Sequence, residues 1–168
     1  VLLYSKGQVE ARELLDKSRR IYDQLPAFLK IALGSESKEE ITFPAMKSAI
    51  RAMPATKTAG IGYTCSIIVW DEHAEHEYAR ENYLSSKPTI DRSGQCISCF
   101  TENAWDKNNL ATDIFEGALA KKNGWYPVFF PYSVVAGRDE KWYGEIKASI
   151  PEGELSGLTP ELYMLKNY

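Results

Sequence analysis

From Cys65 to Trp70 only Ser66 interrupts an apolar run, and the run then breaks on two consecutive acids, Asp71 and Glu72. Six residues are too few to cross a bilayer. A run of this length with no polar alternation suits a strand buried on both faces, as at the centre of a parallel sheet. We therefore read Thr64 to Trp70 as a central strand, and the rest of the chain is constrained by it. Val1 to Ser5 reads as a second buried strand, Gln95 to Thr101 as a third, and Tyr126 to Tyr132 as a fourth. Glu40 to Ala45 and Ser48 to Met53 read as a hairpin around Met46-Lys47.

Helical spacing fills the intervals. Ala11, Leu14, Leu15, Ser18, Ile21, Tyr22 and Leu25 recur on one helix face, Pro26 ends that helix, and Ser5 with Gln8 has capping-box spacing. His73 to Tyr83, Asn109 to Lys122 and Asp139 to Ile150 also read as helices, and Asp91 to Gly94 as a turn. Strands alternating with helices predict an α/β fold with a mostly parallel central sheet flanked by helices. The 168 residues suffice for one domain, so residues 1–168 are expected to form a single one. A strand that starts at the first residue predicts that further chain precedes it, leaving the fold incomplete at its N-terminus.

Charge narrows the partners. The formal net charge is -3, so binding to DNA would need a local patch rather than a basic surface. Lys17, Arg19 and Arg20 form a basic run on the outer side of a helix; a solvated face is the preferred reading, and contact with DNA phosphates or a neighbouring subunit the sharper one. Three cysteines without paired spacing suit a reducing compartment. Cys96 and Cys99 have Cys-x-x-Cys spacing, but on a strand they face opposite sides and no second pair follows. His73 and His76 could share a helix face as metal ligands, yet a solvated acidic helix start is the simpler expectation. Trp105, Trp125 and Trp142 are read as packing residues.

The acidic pair carries the chemistry. A parallel strand delivers its C-terminal residues to the crevice where ligands bind. There one carboxylate can hold Mg²⁺ near nucleotide phosphates and the next can activate water. Adjacent residues on an extended strand point to opposite sides, which would separate the two roles. Asp71 is thus the metal candidate and Glu72 the candidate base, as in a Walker B element. Downstream, the strand Gln95 to Phe100 ends in Thr101-Glu102-Asn103, a position from which γ-phosphate state can be coupled to movement. The strands ending at Asp71 and Thr101 are expected to be parallel neighbours with those two residues at one sheet edge.

An ordered set of segments resembles the ATPase domain of phage and prophage large terminase subunits. The set comprises Tyr4-Ser5 with the following helix and Leu25-Pro26, then Arg51-Ala52-Met53-Pro54-Ala55 and Gly60-Ile61-Gly62-Tyr63. It continues with Asp71-Glu72-His73-Ala74, Phe100-Thr101-Glu102-Asn103-Ala104, Phe129-Phe130-Pro131-Tyr132, and Gly137-Arg138-Asp139 with Trp142. The resemblance covers nearly the whole chain. It implies a P-loop NTPase fold of the RecA-like type, ATP and Mg²⁺ as cofactors, and Thr101, Glu102 and Asn103 as the coupling motif. It further implies double-stranded DNA, a small terminase subunit and a capsid portal protein as partners, a ring of subunits, and the bacterial host cytoplasm.

Three departures qualify it. No glycine in the chain is followed by lysine, so the phosphate-binding loop must lie upstream of Val1 and the first strand of the domain with it. Ile61 stands between the two loop glycines, where many family members carry arginine, and Ala104 replaces the coupling-motif glycine. The nuclease domain of the family is absent as well. A helicase-like, DNA-dependent ATPase is the alternative, since Asp71-Glu72-His73-Ala74 also resembles a helicase box. A non-enzymatic prophage interaction module is the third reading.

Overall fold

The computed structural model describes residues 1–90, 94–101, 109–155 and 157–167. The chain divides into two compact units. The first comprises Val1–Phe100 with Asn109–Ala111, the second Thr101–Asn108 with Thr112–Tyr168.

The first unit is an α/β layer structure. Five strands form one mixed, mostly parallel sheet: β1 (Leu2–Ser5), β2 (Glu40–Phe43), β3 (Ser48–Pro54), β4 (Ile67–Trp70) and β5 (Gln95–Ser98), in the order β2-β3-β1-β4-β5. β1 runs parallel to both β3 and β4, β4 runs parallel to β5, and β2 is antiparallel to β3. All four residues of β1 are buried, which explains why its sequence shows no polar alternation. The register Leu2↔Ile68, Leu3↔Val69, Tyr4↔Trp70 divides the centre of the sheet into two faces. On one face Leu3 packs with Ala11 and Leu15 of helix α1 (Gln8–Gln24), with Ile41 and with Ala52. On the other, Tyr4 and Trp70 lie fully buried, and α2 (Ala79–Ser86) contributes Asn82 and Tyr83 to their surroundings.

The expected hairpin forms with Pro44–Met46 as a 3-10 turn and Lys47 in the left-handed region at φ 47°. The outer edge of β2 is covered by the segment before it: Gly34 N–H donates to the Thr42 carbonyl, and Thr42 N–H donates to the Ser35 carbonyl. Arg19 leaves the solvated face that its run predicts. Its guanidinium pairs with Asp16 and Glu36 and donates to the carbonyls of Ser37 and Glu40, tying α1 to that covering segment. Lys17 and Arg20 are exposed.

Other expectations are corrected. Ser5 does not cap α1, because it is still in β1, where its carbonyl accepts from Ala55 N–H; the N-cap is Gly7, with no side-chain bond. Gln8 reaches Glu39 instead. Ile21, placed on the packed face, is 65% exposed. The helix read over His73 to Tyr83 breaks into a 3-10 turn, His73–Glu75, and α2 beginning at Ala79.

In the second unit, α3 (Leu110–Leu119) continues from the first, followed by α4 (Glu140–Ser149) and α5 (Pro160–Asn167). Asp139 caps α4 by accepting from Trp142 N–H, as its helix-start position predicts. Tyr126 to Tyr132 is not a strand. Among the described residues it has no ladder partner, and an apolar run without one cannot be a strand whatever its side chains favour. Its Tyr126, Phe129 and Phe130 are exposed. Among the described residues no helix is long and apolar enough to cross a membrane. The turn at Asp91 to Gly94 has its first three residues outside the described ones.

The loop between β3 and β4 packs under α2. The carbonyl of Ala59 accepts from Asn82, Ser85 and Ser86. Gly60 sits at φ +90°, and a Cβ there would lie 2.0 Å from the Tyr4 hydroxyl and 2.8 Å from Ser86 Oγ. Both the backbone and the space thus demand glycine. Gly60→Ala should lower stability by roughly 2 kcal/mol or more, read as a drop in thermal midpoint. A midpoint equal to the parent would show that the loop can move off Tyr4.

Candidate active site at the end of strand β4

β4 ends at Trp70, and the chain turns immediately. Asp71 N–H donates to the carbonyl of Tyr4 (2.9 Å), continuing the β1–β4 ladder by one bond. Glu72 is then left-handed, at φ 51° and ψ 39°, and His73–Glu75 forms the 3-10 turn. A non-glycine residue there costs on the order of 1–2 kcal/mol, so its surroundings must hold it.

Two buried histidines pack beside this turn. His73 has no exposed surface and His76 only 6%. The His73 ring lies on Trp70 (5.3 Å, 13°) and meets His76 edge-on (5.3 Å, 64°). His73 N–H donates to the carbonyl of Cys99 (2.8 Å), and its Nδ1 is 2.7 Å from Ser98 Oγ. His76 Nε2 lies 2.7 Å from the Asp71 carbonyl, so that nitrogen carries the hydrogen and donates it. Nδ1 of His76 and Nε2 of His73 are buried with no hydrogen-bond partner among the described residues. Neutral rings with hydrogen on His76 Nε2 and His73 Nδ1 leave only lone pairs unsatisfied, a smaller cost than two buried N–H groups.

The solvated acidic helix start expected here is therefore replaced by a buried aromatic and imidazole stack. Polar residues flanked by Glu72, Glu75 and Glu77 read in the sequence as solvent-facing. Burial pushes the His73 pKa down to about 3, with the neighbouring His76 adding to the effect. His76 is lowered too, by burial, against the raising effect of its bond to Asp71.

This predicts an acid limb. The unfolded chain protonates both imidazoles near pH 6.5, whereas the folded chain resists, so the unfolded state binds more protons below that point. The His73 contribution is full above pH 6.5 and is lost as the pH falls towards about 3, by up to about 1.4 kcal/mol per pH unit, and His76 adds a loss of the same sign below pH 6.5. Urea unfolding at a series of pH values should show it, and His73→Phe should make the limb shallower. An equally steep limb in His73→Phe would assign it elsewhere.

The acidic pair itself is half-buried at the C-terminal end of β4. Neither carboxylate has an ion-pair partner among the described residues. Burial raises the Cys99 thiol pKa, and the charges of Asp71 and Glu72 raise it further, so both carboxylates act on the same neighbour. The extended backbone on which that expectation of opposite sides rests is not present at Glu72, which is left-handed. Cys99 itself follows β5, whose last residue Ser98 is aligned with Trp70. β4 and β5 are parallel neighbours, as their apolar runs predict. Thr101 is exposed and belongs to the second unit, while Glu102 and Asn103 lie outside the described residues. Cys96 and Cys99 are not joined in a disulfide. Among the described residues no group of three His, Cys, Asp or Glu side chains is arranged to hold a metal.

Sequence reasoning placed the acids and missed what holds them. The signal for the stack was thin: Trp70, His73 and His76 fall three apart, a spacing that brings rings together in a 3-10 or helical turn. A scan against protein-family models finds no match for the chain, and a search of curated proteins finds none either.

Proposed function

We propose that the chain is the metal- and base-bearing part of an ATP-hydrolysing DNA-packaging motor, the large subunit of a phage or prophage terminase. The observation that carries the reading is the Asp71–Glu72 pair, without an ion-pair partner among the described residues, at the C-terminal end of a buried parallel strand, the end at which such sheets bind ligands. Two adjacent carboxylates without a cation fit a divalent metal by charge and by ligand type.

In this reading Asp71 holds Mg²⁺, directly or through water, and Glu72 accepts the proton of the attacking water. The bound ion supplies charge neutralisation for the phosphates of ATP. Thr101, Glu102 and Asn103 would couple hydrolysis to movement of double-stranded DNA. The small terminase subunit, the portal protein and a ring of copies are the partners that go with this assignment, in the cytoplasm of a bacterial host. The P-loop type of the fold belongs to the same proposal.

A phosphate cradle is not supplied by the residues described. Gly60 is occupied by its packing on Tyr4, Ile61 between the loop glycines is an exposed aliphatic side chain, and no Gly-Lys pair exists in the sequence. The chain by itself should therefore bind ATP·Mg²⁺ weakly, if at all; saturable micromolar binding in calorimetry would place the phosphate site elsewhere.

The metal half is testable on the chain as it stands. Mn²⁺, an Mg²⁺ substitute visible by electron paramagnetic resonance, should bind at one site and broaden the NMR signals of residues 71, 72 and 99. Asp71→Asn should weaken that binding by about tenfold or more. Unchanged Mn²⁺ affinity in Asp71→Asn would remove the metal site from β4.

A further inference from the structure

The Asp71–Glu72 peptide is held from both sides. Its Asp71 end is fixed by the ladder bond to the Tyr4 carbonyl (2.9 Å), and its carbonyl is held by His76 Nε2–H (2.7 Å). The orientation of a peptide plane sets the dihedrals on both sides of it, so the His76 bond bears directly on Glu72, the residue bent to φ 51°. The Glu72 carbonyl in turn accepts from Glu75 N–H (2.8 Å), which closes the 3-10 turn. A buried hydrogen bond is of the size needed to offset what the left-handed conformation costs. His76 is seated for this and has little freedom: it is 94% buried by its 6% exposure, and its ring packs edge-on against His73.

We infer that His76 is a positioning residue for the acidic pair: by holding the Asp71 carbonyl it imposes the left-handed turn at Glu72, which turns both carboxylates towards one side. This rests on the reading of the pair as a cation site, but its geometric half stands apart from that reading. In a strand that continued straight, Asp71 and Glu72 would face opposite ways and could not act on one ion. His76 thus does for the carboxylates what an outer-shell partner does for a metal ligand. A histidine that merely filled core volume would be replaceable by any ring of its size.

Two variants separate these roles. His76→Phe keeps the ring and removes the donor; His76→Gln keeps an amide N–H at about the same reach. NMR of Glu72, through its Cα and Cβ shifts and its HN–Hα coupling, reads the left-handed turn, and Mn²⁺ titration reads the paired carboxylates. We expect His76→Phe to stay folded, to move Glu72 out of the left-handed region and to lose roughly tenfold in Mn²⁺ affinity, with His76→Gln close to the parent in both. A folded His76→Phe with a left-handed Glu72 and parental Mn²⁺ affinity would overturn the inference. If His76→Phe does not fold, His76→Gln decides: a folded Gln variant that has lost the turn overturns it, and one that retains the turn supports it. Should Asp71→Asn bind Mn²⁺ as the parent does, the metal reading fails, while the Glu72 signals still judge the role of His76.

Discussion

Trp70→Ala is expected to lower stability by about 3–5 kcal/mol, enough to take most of the margin of an ordinary domain. Trp70 has no exposed surface. Its ring is stacked between Tyr4 (6.2 Å, 21°) and His73 (5.3 Å, 13°), with Tyr83 tilted against it at 5.5 Å. Removing it therefore opens a cavity bounded by β1, the turn after β4 and α2 at once. It also removes the indole N–H that Asn82 Oδ1 accepts at 2.7 Å, leaving that oxygen buried without a donor. Trp70→Phe should recover the larger part of the loss and leave the unpaired Asn82 as a residual of roughly 1–2 kcal/mol. Chemical denaturation of the three proteins measures both quantities. A Trp70→Ala protein within 1 kcal/mol of the parent would mean that the stack collapses onto the vacancy at little cost, contrary to close packing around a rigid sheet. Because Trp70 immediately precedes Asp71, the same change should also loosen the turn that carries the acids.

The sheet was legible in the sequence wherever burial alone decides. Leu2 to Ser5 and Ile67 to Trp70 lie in the interior of the sheet, so unbroken apolar runs marked them, and their parallel pairing follows from helices in between. The hairpin was legible too, since its two halves are joined locally around Lys47. What depends on distant partners was not. Tyr126 to Tyr132 has strand-like side chains, but composition cannot show whether a ladder partner exists. Ser5 and Gln8 have the spacing of a cap, but spacing cannot show that Ser5 is still committed to the sheet.

The candidate site divides in the same way. Asp71 and Glu72 were placed correctly at a strand end, since a break in an apolar run is a local signal. The left-handed turn at Glu72 was not, and neither was the His76 bond to the Asp71 carbonyl, which spans a turn that helix periodicity does not describe. Polar residues beside Glu75 and Glu77 read as solvent-facing, and only the neighbouring Trp70, Ser98 and Asp71 carbonyl make their burial affordable. Of the three residues proposed for coupling, Thr101 is exposed in the second unit, and Glu102 and Asn103 lie outside the described residues.

The second large effect concerns chemistry. If Glu72 is the base of an ATPase, Glu72→Gln keeps its size and its place in the turn and removes only the ability to accept a proton. ATP binding should then persist, while hydrolysis falls by at least about a hundredfold, the usual contribution of a positioned general base. Asp71→Ala should act differently, weakening Mg²⁺-dependent binding of the nucleotide before it affects turnover of what is bound. The two patterns are separable because kcat and nucleotide affinity are measured independently. The measurement requires the protein that carries this chain together with a phosphate-binding loop, with DNA present, and steady-state ATP turnover compared between parent and Glu72→Gln. The account predicts intact ATP affinity with turnover reduced about a hundredfold or more. Turnover at the parental rate in Glu72→Gln would contradict it and take the catalytic base away from the end of β4.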